Sequence, residues 1–238
     1  MVFDPASNMI GGFTDNDGTI DFYLRINSLL NPTSTVLDLG AGRAAWFEDD
    51  LCETRRQLRL LKGKVGHVIA ADVDKAVISN QASDEQLVIE PERLGLPPGS
   101  VDLVVADYVL EHVDDADIFA RQIDECLKSG GWLCARTPHK YSYVSIAATM
   151  VRNASHSKVL RSVQPERKEV DVFPTKYKMN TLRDIRRAFA GWEDKSFVAR
   201  TDPAYYFGRK FVYHLQSMLH RITPRFFSGN LFIFVRKP

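Results

Sequence analysis

Two aspartates and a pair of glycines are the residues in this chain whose types and spacing best suit shared chemistry. Gly40-Ala41-Gly42 follows the apolar run Thr35-Val36-Leu37-Asp38-Leu39 and precedes a stretch with helical spacing. Glycines in such a turn let the backbone approach a ligand closely, and an open α/β sheet binds ligands at the carboxyl ends of its strands. Asp38 stands two residues before the first glycine, where it can accept hydrogen bonds from a neighbouring loop or from an ammonium group. Asp72 ends the next apolar run, His67-Val68-Ile69-Ala70-Ala71, where a carboxylate can hold both hydroxyls of a ribose. Each feature also has a plainer reading. The turn can be structural, Asp38 can tie a loop, and Asp72 can share a helix N-cap with Asp74.

The elements that must position these groups follow from hydrophobic periodicity. Thr35–Leu39, His67–Ala71, Gln86–Ile89, Val101–Ala106 and Trp132–Arg136 read as strands. Residues 18–30 read as a helix, as do Phe47–Leu61 (ended near Gly63), a short turn over Ala76–Asn80 and a helix capped by Asp114. In that last helix Phe119, Ile123 and Leu127 share a face, with Ser129-Gly130-Gly131 as the stop. Strands alternating with helices imply a parallel sheet covered on both faces, a doubly wound α/β domain. The second half is less regular. Thr181 caps a helix through Phe189, and Ser196–Ala199 and Leu231–Val235 read as strands. Phe207, Phe211, Leu215, Met218 and Ile222 fall on one helical stripe, for which core packing is the plain expectation.

A nicotinamide enzyme competes for the glycine turn, since Gly40–Ala45 can be laid on the G-x-G-x-x-A pattern. Asp72, however, lies thirty residues beyond Gly42, and the dinucleotide fingerprint expects its acid about twenty residues on. An acid inside the first strand, as at Asp38, is foreign to that fingerprint too.

Taken in order, Val36–Gly42, Ile69–Val73, Leu94–Asp102, Tyr108–Val113 and Leu127–Trp132 resemble the successive motifs of class I S-adenosylmethionine-dependent methyltransferases. The likeness is closest to the small-molecule branch that includes the ubiquinone-biosynthesis type, and it spans about residues 33–138. It implies a Rossmann-like, mostly parallel seven-stranded sheet and S-adenosylmethionine as the cofactor. On this resemblance Gly40, Ala41 and Gly42 line the methionine moiety beside Asp38. Asp72 holds the ribose, Val73 packs on adenine and Glu90 meets the adenine amino group. Asp107, Tyr108 and Leu110 border the sulfonium. The chain departs from the family pattern at Ala44, often a third glycine, and at Glu90, more usually aspartate.

Methyl transfer from a sulfonium is an in-line displacement, so the protein chiefly aligns the acceptor and excludes water. A general base is needed only where the acceptor loses a proton on attack. His112, His139 and Tyr141 are the candidates, at the ends of the fourth and fifth strands, each with a structural reading beside it. No proline-rich N-P-P-Y-like run follows the fourth strand and no Pro-Cys occurs, so nothing specific points to nucleic acid. Asp171–Tyr177 and Asn180–Leu182 resemble the acceptor-side insert of methyltransferases from bacterial surface-glycan gene sets. That favours a small-molecule, glycan-type or lipid-linked acceptor, methylated on oxygen. The alternative outside enzymology is a non-catalytic module that keeps the fold for binding.

Composition bounds the rest. With 238 residues, 45% of them hydrophobic, a single domain over 1–238 is expected, with 139–180 and 203–228 on the acceptor side. No apolar run approaches the ~20 residues that span a bilayer. The first residues lack a secretory pattern, and Cys52, Cys126 and Cys134 lack metal or disulfide spacing, so a cytoplasmic protein without a metal site is expected. The net charge of +1 hides an asymmetry. Residues 1–138 hold 12 basic and 23 acidic side chains, and 139–238 hold 19 and 7. The basic part therefore either faces an anionic acceptor or membrane, or packs on the acidic part.

Overall fold

The computed structural model describes residues 3–146 and 175–238. Its strands are β1 (Thr35–Leu39), β2 (His67–Asp72), β3 (Glu85–Val88), β4 (Val101–Asp107), β5 (Leu127–Pro138), β6 (Glu193–Asp194), β7 (Phe197–Arg200) and β8 (Gly229–Arg236). They form one sheet in the order β3-β2-β1-β4-β5-β8-β6, with β7 also on β8. Strands β1 to β5 are parallel, and β8 enters antiparallel to β5. The doubly wound fold expected from the sequence is therefore present. Its eight strands amount to seven lines, because β6 and β7 continue one register against β8. The break falls at Lys195-Ser196, where the Ser196 hydroxyl accepts the Phe234 amide in place of a backbone carbonyl.

Period-two alternation explains the two cores. One row across the sheet, Ile69, Leu37, Val104, Leu133 and Val235, faces one layer, and Val68, Val36 and Leu103 with Cys134 and Phe234 face the other. Each fully buried side chain of this size is worth about 1.5–3 kcal/mol. Helix α1 (Gly18–Asn27) covers the second layer with Phe22, Tyr23 and Ile26, and starts where the Asp17 carboxylate accepts the amides of Thr19 and Ile20. Helix α4 (Ala116–Cys126) covers the first with Ala120, Ile123 and Cys126.

Several local expectations are corrected. The stretch Phe47–Leu61 is two helices, α2 (Trp46–Asp49) and α3 (Glu53–Arg59). Asp50 breaks it by accepting the Cys52 amide and gripping Arg55, which leaves Leu51 exposed. Helix α4 is capped by Asp115, not Asp114, and Asp114 instead pairs with Lys176 and Lys178. The glycines after it do not stop the helix. Leu127 already belongs to β5, and Lys128–Gly131 forms a bulge between the pairs Val101–Leu127 and Leu103–Trp132.

Thr181 does cap α5 (Leu182–Ala188). Of the expected stripe, Phe211, Leu215, Met218 and Ile222 lie on α6 (Lys210–Ile222) and Phe207 precedes it; the stripe is not core, because its apolar face is exposed. A short α7 (Arg225–Ser228) leads into β8. Part of the basic half does pack on the acidic half, through Lys176 and Lys178 to Asp114 and Lys237 to Asp124. Of the segment 139–180, expected on the acceptor side, residues 147–174 lie outside the described residues, with Arg161, Arg167 and Lys168.

Candidate active site

Strand order reverses at β1, which lies between β2 and β4, so the carboxyl ends of these strands open onto a switch point. The Gly40–Gly42 turn sits there, tied down from two sides. The amides of Gly40 and Ala41 donate to the Ala71 carbonyl at 2.7 and 3.3 Å, and the Gly42 amide donates to Asp72 Oδ2 at 2.8 Å. Gly40 has φ 72°, and a Cβ there would collide with the Val109 side chain from the β4 loop. Glycine is thus required by the approach of two loops as well as by the backbone angle.

Asp72 is nearly buried and spends one lone pair of each oxygen inside the protein, Oδ2 on Gly42 and Oδ1 on the Asp74 amide at 2.9 Å. The helix-capping role falls to Asp74, which accepts the Ala76 amide at the head of a 3-10 turn. Asp72 therefore joins β2 to the glycine turn and keeps a second lone pair on each oxygen. Val73 is exposed beside it, and Glu90 is exposed after β3.

Two charged pairs occupy the floor. Asp38, half-buried near the end of β1, has its carboxyl pushed up to about 7 by burial, with Asp107 and Asp72 adding repulsion and Arg59 opposing. Asp107 at the end of β4 is held by Arg136 from β5, with Arg59 at 4.0 Å and the Tyr23 hydroxyl at 3.3 Å. The Arg59 guanidinium lies 4.5 Å from the Trp46 ring centre, and its buried Nε has no protein partner. Tyr108 has φ 60° and stands over Arg136, its ring centre 4.7 Å from the guanidinium carbon. Its hydroxyl accepts the Asn230 amide at 3.0 Å. Leu110 points wholly into the core and supports this loop from beneath.

The end of β5 is built around Thr137 and Pro138. Buried Glu111 accepts the Thr137 hydroxyl at 2.8 Å, and Asn180 donates to Thr137 Oγ1 and the Pro138 carbonyl. The Glu111 carbonyl accepts the amides of Lys176 and Tyr177, which fastens the chain after residue 174 to the β4 loop. His139 is buried. Burial lowers its pKa below the ordinary histidine value, which leaves the ring neutral at pH 7. Its Nδ1 accepts the Tyr141 amide at 3.2 Å while the ring donates to the Phe226 backbone, so its basic lone pair is already in use. His112 is half-buried in the turn after β4, and Tyr141 is 55% exposed.

The structure thus gathers Asp38, Gly40–Gly42, Asp72, Asp107 and Tyr108 at one end of the sheet, with His139 and Tyr141 beyond β5. Sequence reasoning missed Arg59, Arg136 and Glu111, and named Asn180 only within the insert resemblance. Arg136, a lone charge in an apolar strand, was the one readable signal. A cavity of ≈ 300 Å³ lies beside the turn, lined by Arg43, Ala44, Phe47, Glu48 and Gln81. Among the described residues, no group of three or more His, Cys, Asp or Glu could hold a metal ion.

Residues 50–135, from α3 through the middle of β5, match the family described as a methyltransferase domain. That stretch of the chain is similar to a methyltransferase domain. The match begins just after the glycine turn, so the turn itself rests on the geometry above. Solved structures share the fold across nearly the whole chain. One is in the complex between the Haloferax volcanii Trm112 methyltransferase activator and its methyltransferase partner (18% identity, 91% of this chain and 88% of that one, TM-score 0.56). Another is an S-adenosylmethionine-dependent methyltransferase from Archaeoglobus fulgidus (14%, 92% and 92%, 0.53). A third is the [4+2]-cyclase SpnF (12%, 92% and 81%, 0.53). No curated protein matches the chain. At these identities the structures establish the fold, and SpnF shows that this fold hosts other chemistry too.

Proposed function

We propose that this protein transfers a methyl group from S-adenosylmethionine to an oxygen of a glycan-type or lipid-linked acceptor. The observation that carries the cofactor reading is the clamp of Asp72 on the Gly42 amide at 2.8 Å. It sets a ribose-type carboxylate against a turn that brings bare backbone to the strand ends. The methyltransferase match over 50–135 and the fold support the same cofactor. The ammonium and carboxylate of a methionine moiety would meet Asp38 and the unpartnered Nε side of Arg59. The donor arrives activated, so the task of Tyr108, Thr137 and their neighbours is to place the acceptor and keep water out.

A hydroxyl acceptor loses a proton on attack, and His139, with Nδ1 already accepting a hydrogen bond, is badly placed to take it. That role falls to His112 or Tyr141. We place the chain in the small-molecule branch that includes the ubiquinone-biosynthesis type on the motif order alone, and in the cytoplasm on its three unpaired thiols. The acceptor-side segments after β5, some of them basic, support an anionic acceptor.

The test is calorimetric binding of S-adenosylmethionine and its demethylated product, with NADH and NADPH as controls, to wild type and Asp72→Ala. Circular dichroism establishes that the variant is folded. Donor binding that a folded Asp72→Ala loses supports the reading. Preference for a nicotinamide, or no donor binding, overturns it. Methyl turnover on a panel of anionic sugars and lipid-linked sugars then separates an enzyme from a binding module.

A further inference from the structure

Helix α6 is amphipathic with its faces reversed. Phe211, Leu215, Met218, Leu219 and Ile222 recur at helical spacing and are 77%, 43%, 54%, 42% and 75% exposed. The side turned to the protein carries the polar groups. Tyr213 donates to Asp202, His220 is buried with Nδ1 against the Thr201 carbonyl, and Gln216 and Ser217 are half-buried. A helix that serves only a water-soluble core turns its apolar stripe inward. This one spends its polar side on the protein and leaves the apolar side to something else. Phe207 before the helix and Phe226 and Phe227 after it, all exposed, lengthen the patch.

The charges around the patch are of one sign. Arg209, Lys210, Arg221 and Arg225 are exposed at the two ends of α6, and none forms an ion pair among the described residues. No Asp or Glu occurs from Pro203 to the last residue. Elsewhere in this half Lys176 and Lys178 are matched by Asp114 and Lys237 by Asp124, while Lys140, Arg183 and Arg187 form no ion pair among the described residues. Four unmatched cations therefore flank the unmatched apolar face. That combination fits an interfacial helix, whose apolar side enters the acyl boundary while its cations meet anionic headgroups.

We propose that α6 and α7 dock this protein on an anionic lipid bilayer. The docked face adjoins the acceptor side. The Phe226 ring centre is 6.1 Å from that of His139, and Tyr143 touches both His220 and Phe227, at 5.4 and 6.2 Å. A lipid-linked acceptor would then reach the strand ends from the membrane surface without leaving it. This last point rests on the proposed acceptor class, whereas attachment to the bilayer stands on the helix alone.

The experiment is flotation of the full chain with vesicles of phosphatidylcholine alone and of an equimolar mixture with phosphatidylglycerol, at low and high salt. We expect wild type to float with the anionic vesicles at least about tenfold more than with neutral ones, and to be released by salt. Phe211→Ser/Leu215→Ser/Ile222→Ser and, separately, Arg221→Glu/Arg225→Glu should each lose that binding. All five positions are exposed, so circular dichroism and melting temperature should stay at wild-type values. Failure to float, or equal flotation with both vesicles, overturns the proposal. So does a concentration-dependent dimer that the triple substitution converts to monomer, which would make a second copy the occupant. Donor calorimetry on the same variants keeps the two readings apart. Flotation without donor binding sinks the methyltransferase reading alone, and donor binding without flotation sinks this one.

Discussion

Asp107 and Arg136 face each other in register across β4 and β5 and are joined by two hydrogen bonds of 2.7 Å, Nε to Oδ1 and Nη2 to Oδ2. Their side chains are 9% and 4% exposed. A bidentate pair so enclosed is costly to split, because the survivor keeps its charge in a place water does not reach. Arg136→Ala strands Asp107 near Asp38, and Asp107→Asn strands Arg136 beneath Tyr108. Each should lower unfolding free energy by about 3–5 kcal/mol. Urea denaturation checks this, and a loss below about 1 kcal/mol would place the pair among weak surface bridges.

Asp38 gives a pH signature. Its carboxyl is pushed up to about 7 in the folded protein, first by burial, whereas in an unfolded chain it ionises near ~4. The folded state therefore keeps a proton that the unfolded chain has released, and stability falls as pH rises between those two values. Asp38→Asn carries no such penalty. Wild type should lose stability relative to the variant from about pH 4 to about pH 7, with a constant gap above. A bound ammonium favours the carboxylate, so donor affinity of wild type should rise with pH through about 7 and level off. A flat difference in denaturation midpoints across that window would remove Asp38 from this role.

Ala44 is buried with φ 55°, in the left-handed region that favours glycine. A side chain there costs roughly 1–2 kcal/mol, which glycine's extra freedom in the unfolded chain offsets in part. Ala44→Gly should raise stability by up to about 1 kcal/mol. Ala41→Gly, three residues earlier and without a positive φ, should lower it. Thermal melts of both variants decide the matter, and equal signs would contradict the strain.

The three thiols should be silent in the native state. Cys52, Cys126 and Cys134 are free and at most 4% exposed. Burial pushes the Cys126 thiol up to about 12 and Cys134 higher still, so little thiolate exists to react. An Ellman titration should find no fast-reacting thiol in buffer and all three in denaturant, without reductant. A fast-reacting native thiol would contradict the packing around the start of α3, α4 or β5.

The elements that carry the candidate cofactor site were legible because their signals are local. An apolar run with alternating neighbours makes a strand, a glycine pair makes the turn after it, and Asp38 and Asp72 stand at or next to the ends of such runs. The β1 to β5 succession, the helix after Asp17 and the Thr181 cap all follow from such short-range rules. What the residue order left open depends on partners distant in sequence. Arg136 finds Asp107 across a strand pair, and Arg59 meets Asp107 from a separate helix. Asn180 reaches Thr137 only once the chain has returned to the β5 end. Helix α6 is the sharpest case. Its stripe predicts that one side must leave water, but periodicity is blind to direction. Only the tertiary contacts of Tyr213 with Asp202 and of His220 with Thr201 decide which face turns inward. Sequence determined where apolar surface recurs, since that is a property of spacing. Structure decided what covers it, since that depends on which polar groups find partners when the chain closes.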